Sequence, residues 1–324
     1  MCIRDRLCSK IDTLMRIISL DRIKAVLPNI DLLSEIESGF SAYSDGLVVV
    51  PPVGELSFQS PPGDVHIKYG YIKEDDIYVV KIASGFYENK LEGLPVGNGM
   101  MLVFSQKTGQ PLAALQDECY LTDVRTAVAG AIAAKYLSPK NIDCIGIVGT
   151  GVQAKLQLQY LKKVTECNKV IVWGRSPESL SEYMKSMCDY NYKIQATTNI
   201  DDITSQCQLI VTCTPSEKAL ISTVSPGTHI TAIGSDTTVK RELSSSVLLQ
   251  ADVVITDSKS QSRERGEIYQ ASKDGFSGKS TLELGNIITG AVKGRTSQDQ
   301  ITIADLTGVA VQDIQISKAV LRNL

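Results

Sequence analysis

Apolar positions along this chain follow two regimes. Before about residue 116 they alternate, or come in short runs broken by glycine and proline; beyond about 120, compact apolar blocks alternate with stretches of helical spacing. In the first regime, Leu20, Ile23, Val26 and Leu27 precede Pro28. Leu32, Leu33, Ile36 and Phe40 then share one face between 30 and 43, so residues 21–45 are predicted to be helical. Residues 47–73 read as strands with breaks at Pro51-Pro52 and Pro61-Pro62, and the run Val65-His66-Ile67-Lys68-Tyr69-Gly70-Tyr71 alternates as a half-buried strand does. Further strands are predicted at 77–83 and 100–105, and a turn at 108–111 leads into 112–115. This part is expected to be a mostly antiparallel α+β unit.

The second regime opens with a helix over 122–137. Thr122 or Asp123 is its N-cap, five alanines favour it, and Pro139 ends it. Strands are predicted at 143–148, 169–173, 193–197, 208–213, 228–233 and 251–256, with helices at 152–165, 177–189 and 242–250. That alternation implies a parallel sheet with crossover helices. Residues 260–290 mix charged helical and Gly/Ser-rich stretches, 301–306 form a last strand, and 307–310 open a C-terminal helix.

The stretch Cys144-Ile145-Gly146-Ile147-Val148-Gly149-Thr150-Gly151-Val152-Gln153-Ala154 joins strand, turn and helix with G-x-G-x-x-A spacing. Gly149 allows the tight turn. Gly151 lets the backbone approach a pyrophosphate, and Ala154 lets helix and strand come close, so the helix N-terminus faces the phosphates. A dinucleotide site is therefore expected over Gly149, Thr150, Gly151, Val152, Gln153 and Ala154. The next strand ends Trp173-Gly174-Arg175-Ser176, with no acidic residue to hold a ribose 2′-hydroxyl. Arg175 and Ser176 suit a 2′-phosphate, which favours NADP over NAD. Thr214, Gly308 and Val309 complete the expected cofactor set.

Composition changes this picture little. The 324 residues carry a net charge of −3, with 43% hydrophobic and 21% charged residues, which gives no pull toward nucleic acid and resembles an ordinary soluble protein. No apolar run reaches membrane-span length. Eight cysteines without C-x-x-C spacing read as free thiols of a reducing compartment, so a cytoplasmic location is expected. With two histidines, no metal site is expected. Residues 1–14 lack a secretory signal's apolar core and read as a non-native leader, with Met15 the natural start.

Four ordered motifs now carry a family resemblance. They are Val79-Val80-Lys81-Ile82-Ala83-Ser84-Gly85, Arg125-Thr126-Ala127-Val128-Ala129-Gly130-Ala131-Ile132-Ala133-Ala134-Lys135-Tyr136-Leu137 with the glycine turn after it, Ala232-Ile233-Gly234-Ser235-Asp236, and Asp305-Leu306-Thr307-Gly308-Val309-Ala310. Across roughly 15–324 the chain resembles the ornithine cyclodeaminase/mu-crystallin family. The resemblance implies an α/β protein: a Rossmann doubly wound parallel sheet domain (127–305) plus an α+β substrate-binding and dimerisation domain (15–126 with 306–324), assembled as a homodimer. It implies that Lys81 and Arg125 hold a substrate carboxylate, as their charges and the arginine fork suit. It also makes Asp236 the catalytic acid/base, with Lys81 beside it.

Two departures bear on the substrate. Many members carry arginine after the proline pair, where this chain has Val53. Ornithine cyclodeaminases place glutamate where this chain has Lys68, and two like charges near 4 Å cost about 4 kcal/mol at an effective dielectric near 20. Lys68, with His66 on the same strand face, would instead attract an anionic group. Val53-Gly54-Glu55-Leu56 with His66-Ile67-Lys68-Tyr69-Gly70 is similar to a branch containing ectoine-utilisation and iminosuccinate reductase-like members. The leading expectation is NAD(P)-dependent hydride transfer at the Cα of a small L-amino acid or its imine, iminosuccinate/aspartate being one acidic candidate. The alternatives are a true ornithine cyclodeaminase, making proline and ammonia with catalytic NAD, and a non-enzymatic mu-crystallin-like ligand-binding protein.

Overall fold

A computed structural model describes residues 15–278 and 280–324. The reading of 1–14 as a leader, and two of the cysteines, lie outside the described residues. The first sheet contains β1 (Arg16–Ser19), β2 (Val48–Val49), β3 (Gly54–Gln59), β4 (Pro62–Ile72), β5 (Ile77–Phe86), β6 (Gly97–Ser105) and β7 (Pro111–Gln116), with α1 (Leu20–Val26) and α2 (Leu32–Ser44) after β1. Its order is β1-β7-β6-β5-β4-β2, with β3 on β4. The pairing is antiparallel as expected except at one edge: β1, which the apolar pattern did not reveal, pairs parallel with β7. Four residues are too few to show a period.

Helix α3 (Tyr120–Leu137) leads to the second sheet. Its strands are β8 (Ile145–Val148), β9 (Lys169–Trp173), β10 (Lys193–Thr197), β11 (Leu209–Thr212), β12 (His229–Ala232), β13 (Val253–Thr256), β14 (Leu282–Glu283) and β15 (Thr302–Asp305). The order is β10-β9-β8-β11-β12-β15-β13-β14, parallel throughout. Crossovers run through α4 (Val152–Leu161), α5 (Pro177–Ser186), α6 (Asp201–Gln206), α7 (Ser245–Gln250), α8 (Gly266–Ser272) and α9 (Leu284–Ile288). Three expected helices are shorter than predicted; the one predicted from 242 begins at Ser245, so Glu242 lies outside helix α7 and its carboxylate bonds the ends of two strands.

Alternation explains the layering. Ile145 and Ile147 of β8 and Val170 and Val172 of β9 face the large core. Their neighbours Cys144, Val148 and Ile171 face a second core on the opposite side of the sheet. Both faces are thus apolar, as a covered parallel sheet requires. The large core also takes in Ile18, Ile36, Phe40 and Val79 of the first unit, so the two units share apolar packing. The C-terminal helix α10 (Ala310–Arg322) returns to lie on β4, β5, α2 and α3. It is buried nearly all round, polar residues included.

Candidate active site

The glycine turn sits at the C-terminal end of β8. Gly149 has φ +130°, and a Cβ there would meet Cys213 at 3.0 Å. Gly151 differs: a Cβ there meets nothing within 4 Å. Its bareness serves no contact within the protein and leaves the cleft open to a ligand. Gly151 caps ten-residue α4 without a side-chain bond, so the first amides of the helix face the cleft. The adjoining cavity of about 330 Å³ is lined by Gly149, Thr150, Gly151, Arg175, Ser176 and Thr214, among others. This cradle fits a dinucleotide pyrophosphate. Gly151→Val is therefore expected to leave the melting temperature unchanged while weakening dinucleotide binding about tenfold or more, measured by calorimetry; one well-placed clash of a few tenths of an ångström against phosphate suffices.

The other expected cofactor residues divide by what their side chains already hold. Arg175 is exposed and Val152 projects outward, while Ala154 is buried. Gln153 turns to α3 and donates to Asp123 O at 3.0 Å and Oδ1 at 3.1 Å. Ser176 caps α5, accepting from Ser179 N at 3.3 Å. Thr214 N and Oγ1 donate to Glu242 Oε1 at 2.6 and 2.8 Å.

Three cations come together through register and helix placement. Lys68 on β4 pairs directly with Lys81 on β5, so both side chains leave one face of the sheet. Arg125 reaches the same place from α3, and α10 supplies the counter-charge. Asp313 Oδ1 lies 3.1 Å from Arg125 Nε and Oδ2 lies 3.6 Å from Lys81 Nζ. Arg125 Nη1 donates to Gln312 Oε1 at 2.5 Å. The ion pairs are close but not aligned as hydrogen bonds. Arg125 Nε, Gln312 Nε2 and both Asp313 oxygens are buried without hydrogen-bond partners.

Lys68 was expected to stand with His66. It instead joins this cluster, donating to Thr307 O at 3.1 Å and Gly308 O at 2.6 Å. Burial pushes its ammonium down to about 7, helped by Lys81 and Arg125. Burial likewise lowers Lys81, against the pull of Asp313. Gly308, at φ +78°, explains the close approach: a Cβ there would lie 2.6 Å from Arg125 Nη1 and 3.3 Å from Lys68 Nζ. Asp257 fixes this turn, accepting from Thr307 N at 3.2 Å and Gly308 N at 2.6 Å. Val309 is buried at the start of α10.

Asp236 follows β12. Its side chain is 41% exposed, so a ligand can reach it. Burial would raise its carboxyl, but Lys240, at 2.8 Å, with Lys68 and His66, holds it below the usual carboxylate range. His66 lies 3.5 Å from Glu55 and 3.4 Å from Asp64, and burial lowers its pKa. Glu55, Asp64, His66, Tyr87 and Lys240 line a cleft of about 470 Å³ between the units.

Sequence reasoning missed Asp313, Gln312, Asp257 and Glu242. Glu242 is fully buried and accepts from Thr212 Oγ1 at 2.8 Å and Gly234 N at 2.9 Å besides Thr214. One carboxylate thus ties the loop after β11 to the loop carrying Asp236, and burial pushes it up to about 7. The available signal for Asp313 and Gln312 was their place in a helix otherwise rich in core residues, next to Gly308. Glu242 gave no comparable signal. Val53 lines a cavity of about 160 Å³ whose wall includes Arg265, the ion-pair partner of Glu55 in the larger cleft.

The chain is similar to known proteins over nearly its whole length. The model of the ornithine cyclodeaminase/mu-crystallin family matches residues 15–324. An uncharacterized cyclodeaminase of Sinorhizobium fredii is 37% identical over 312 residues, covering 94% of each chain. The solved dimer of an archaeal alanine dehydrogenase with bound NAD is 30% identical with a TM-score of 0.87, covering 95% of each chain. The iminosuccinate reductase of Paracoccus denitrificans with NAD⁺ is 28% identical with a TM-score of 0.87, again covering 95% of each chain. The match of the family model over residues 15–324, with a relative 37% identical across 94% of each chain, makes this chain a member of the ornithine cyclodeaminase/mu-crystallin family.

Proposed function

We propose that the protein is a nicotinamide-dinucleotide-dependent oxidoreductase that interconverts a small L-amino acid and its imine, the imine arising from a 2-oxo acid and ammonia. The observation that carries this reading is the cluster of Lys68, Lys81 and Arg125. Three buried cationic side chains have one carboxylate, Asp313, within ion-pair distance among the described residues. They are incomplete without an anion, and an α-carboxylate supplies one. NAD or NADP would lie along Gly149, Thr150, Gly151, Val152 and Ala154 and reach toward Thr214, Gly308 and Val309; when bound it supplies hydride transfer. The NADP preference rests on the exposed guanidinium of Arg175.

The chain's own residues do the rest. Lys81 and Arg125 orient the carboxylate, and Lys68 adds a third contact from its seat on the turn at Gly308. Asp236, kept ionised by Lys240, faces the imine nitrogen and handles its proton directly or through water. Glu242 keeps the cofactor loop and the Asp236 loop in fixed relation. Residues 15–126 with 306–324 act as the substrate-binding unit and 127–305 as the dinucleotide unit. The outer face of the first sheet carries Tyr69, Tyr71, Tyr78, Val80, Met100 and Phe104, apolar surface that suits homodimer formation and is testable by sedimentation.

The test is consumption of NADH or NADPH with ammonia and a panel of 2-oxo acids: pyruvate, glyoxylate and oxaloacetate. Turnover with at least one is expected. No consumption, with proline formed from ornithine, overturns the reading in favour of the cyclodeaminase.

Lys68 sets the pH dependence. Below pH 7 it is already protonated and adds its charge to the clamp. Above 7 a bound carboxylate must first recruit a proton to it, so affinity for pyruvate is expected to fall by up to tenfold per pH unit. Lys68→Met should flatten the profile. An affinity constant from pH 6 to 9 in the unaltered protein would show that Lys68 does not touch the anion.

A further inference from the structure

Arg265 stands between the two units. It precedes α8, and its side chain is 7% exposed. From there it crosses to β3, where Nη1 donates to Glu55 Oε1 at 2.7 Å. The same nitrogen lies 3.4 Å from the carbonyl oxygen of Asp236. Nε is buried and has no partner. The anion at the other end is different in kind: Glu55 is 42% exposed, in the cleft it shares with its strand partner His66.

A latch built for stability buries both charges and satisfies the fork. Here the cation is buried, the fork is half used, and the anion is the partner free to leave. Arginine offers five N–H donors in a plane that matches two carboxylate oxygens. Glu55 uses one corner of it. Moving Glu55 into water costs little because Glu55 is already half exposed and the arriving carboxylate keeps Arg265 paired. Asp236 lies between the two cationic groups: its carboxylate feels Lys68 and His66, and its carbonyl touches Arg265. For a substrate with its α-carboxylate on Lys81 and Arg125 and its reacting nitrogen at Asp236, Arg265 is a further cation beside that aspartate.

We propose that Arg265 is a specificity-determining residue that binds the side-chain carboxylate of a dicarboxylic amino or imino acid, and that Glu55 holds its place until that substrate arrives. The inference rests on the proposed chemistry at Cα and adds the substrate class. Monocarboxylic substrates leave Glu55 seated and gain nothing from the fork.

The experiment compares kcat/KM for oxaloacetate and pyruvate, each with ammonia and reduced dinucleotide. The unaltered enzyme should favour oxaloacetate. Arg265→Gln should lower the oxaloacetate-to-pyruvate ratio about 30-fold or more, as expected when one side of a buried charge pair is removed. Glu55→Gln should lower KM for oxaloacetate about two- to fivefold, because the competing anion is gone. A purely structural latch predicts the opposite for Glu55→Gln, a higher KM for both substrates, and that result would overturn the proposal. So would equal losses on both substrates in Arg265→Gln. If that variant does not fold, Arg265→Lys, which keeps the charge and loses the planar fork, carries the same comparison. If no 2-oxo acid is reduced at all, the proposed reaction fails. Calorimetry on the NAD⁺-loaded protein then decides the inference: tighter binding of L-aspartate than L-alanine supports it, and equal or weaker binding overturns it.

Discussion

Asp236→Asn is expected to lower kcat by about 10²- to 10⁴-fold, the range for loss of a positioned acid/base group. Asparagine keeps the size of the side chain and its reach, so the fold and the dinucleotide affinity should persist. What disappears is the charge opposite the imine nitrogen and the ability to pass a proton. In the ligand-free protein Lys240 sits 2.8 Å from Oδ1 and, with Lys68 and His66, holds the carboxyl low despite its burial. Asp236 is therefore ionised across the whole neutral range. In the proposed reaction its role would be to stabilise the protonated imine while hydride arrives at Cα and, in the reverse direction, to take a proton from the ammonium before hydride leaves, not to switch with pH. It follows that no acid limb between pH 5 and 8 should trace to Asp236; an inflection near 7 that Lys68→Met removes belongs to Lys68. Single-turnover rates with saturating substrate separate this from a binding defect. A variant retaining more than about a tenth of the parent rate would remove Asp236 from the mechanism.

Asp313→Ala should produce the largest stability loss. The carboxylate is 2% exposed and faces both Lys81 and Arg125. Removing one partner of a buried pair leaves uncompensated charge in a poor solvent, typically about 3–5 kcal/mol. For a chain of this length that corresponds to a fall of roughly 5–15 °C in melting temperature. Asp313→Asn is the control for packing. It preserves volume, so a similar loss assigns the effect to charge. Carboxylate ions should restore part of the stability, since they occupy the gap between the same two cations. Scanning calorimetry with and without acetate reads both effects. A melting temperature within about 2 °C of the parent would mean that Lys81 sheds its proton at little cost and that Asp313 is not its essential counter-charge.

The sequence by itself determined whatever depends on neighbours along the chain. The parallel sheet followed from apolar blocks alternating with helical spacing, because a doubly covered strand must be apolar on both faces. The glycine turn followed from a backbone geometry only glycine adopts cheaply and from a bare site facing open space. Lys81, Arg125 and Asp236 were found through ordered motifs, each carried on a strand or helix that could be predicted locally. What the tertiary structure alone decided is how distant segments meet. Asp313 neutralises Arg125 from 188 residues away because α10 returns to the first unit. Glu242 ties two loops together from a segment whose local pattern looked like plain helix, and Arg265 meets Glu55 across the cleft. Lys68 was expected to act together with His66. The β4–β5 register and the left-handed Gly308 turn bring it beside Lys81 and Arg125. Charge pairing acts through space and leaves no period in the chain, so the cations that form the cluster could be named from the chain while its counter-charges and its geometry could not.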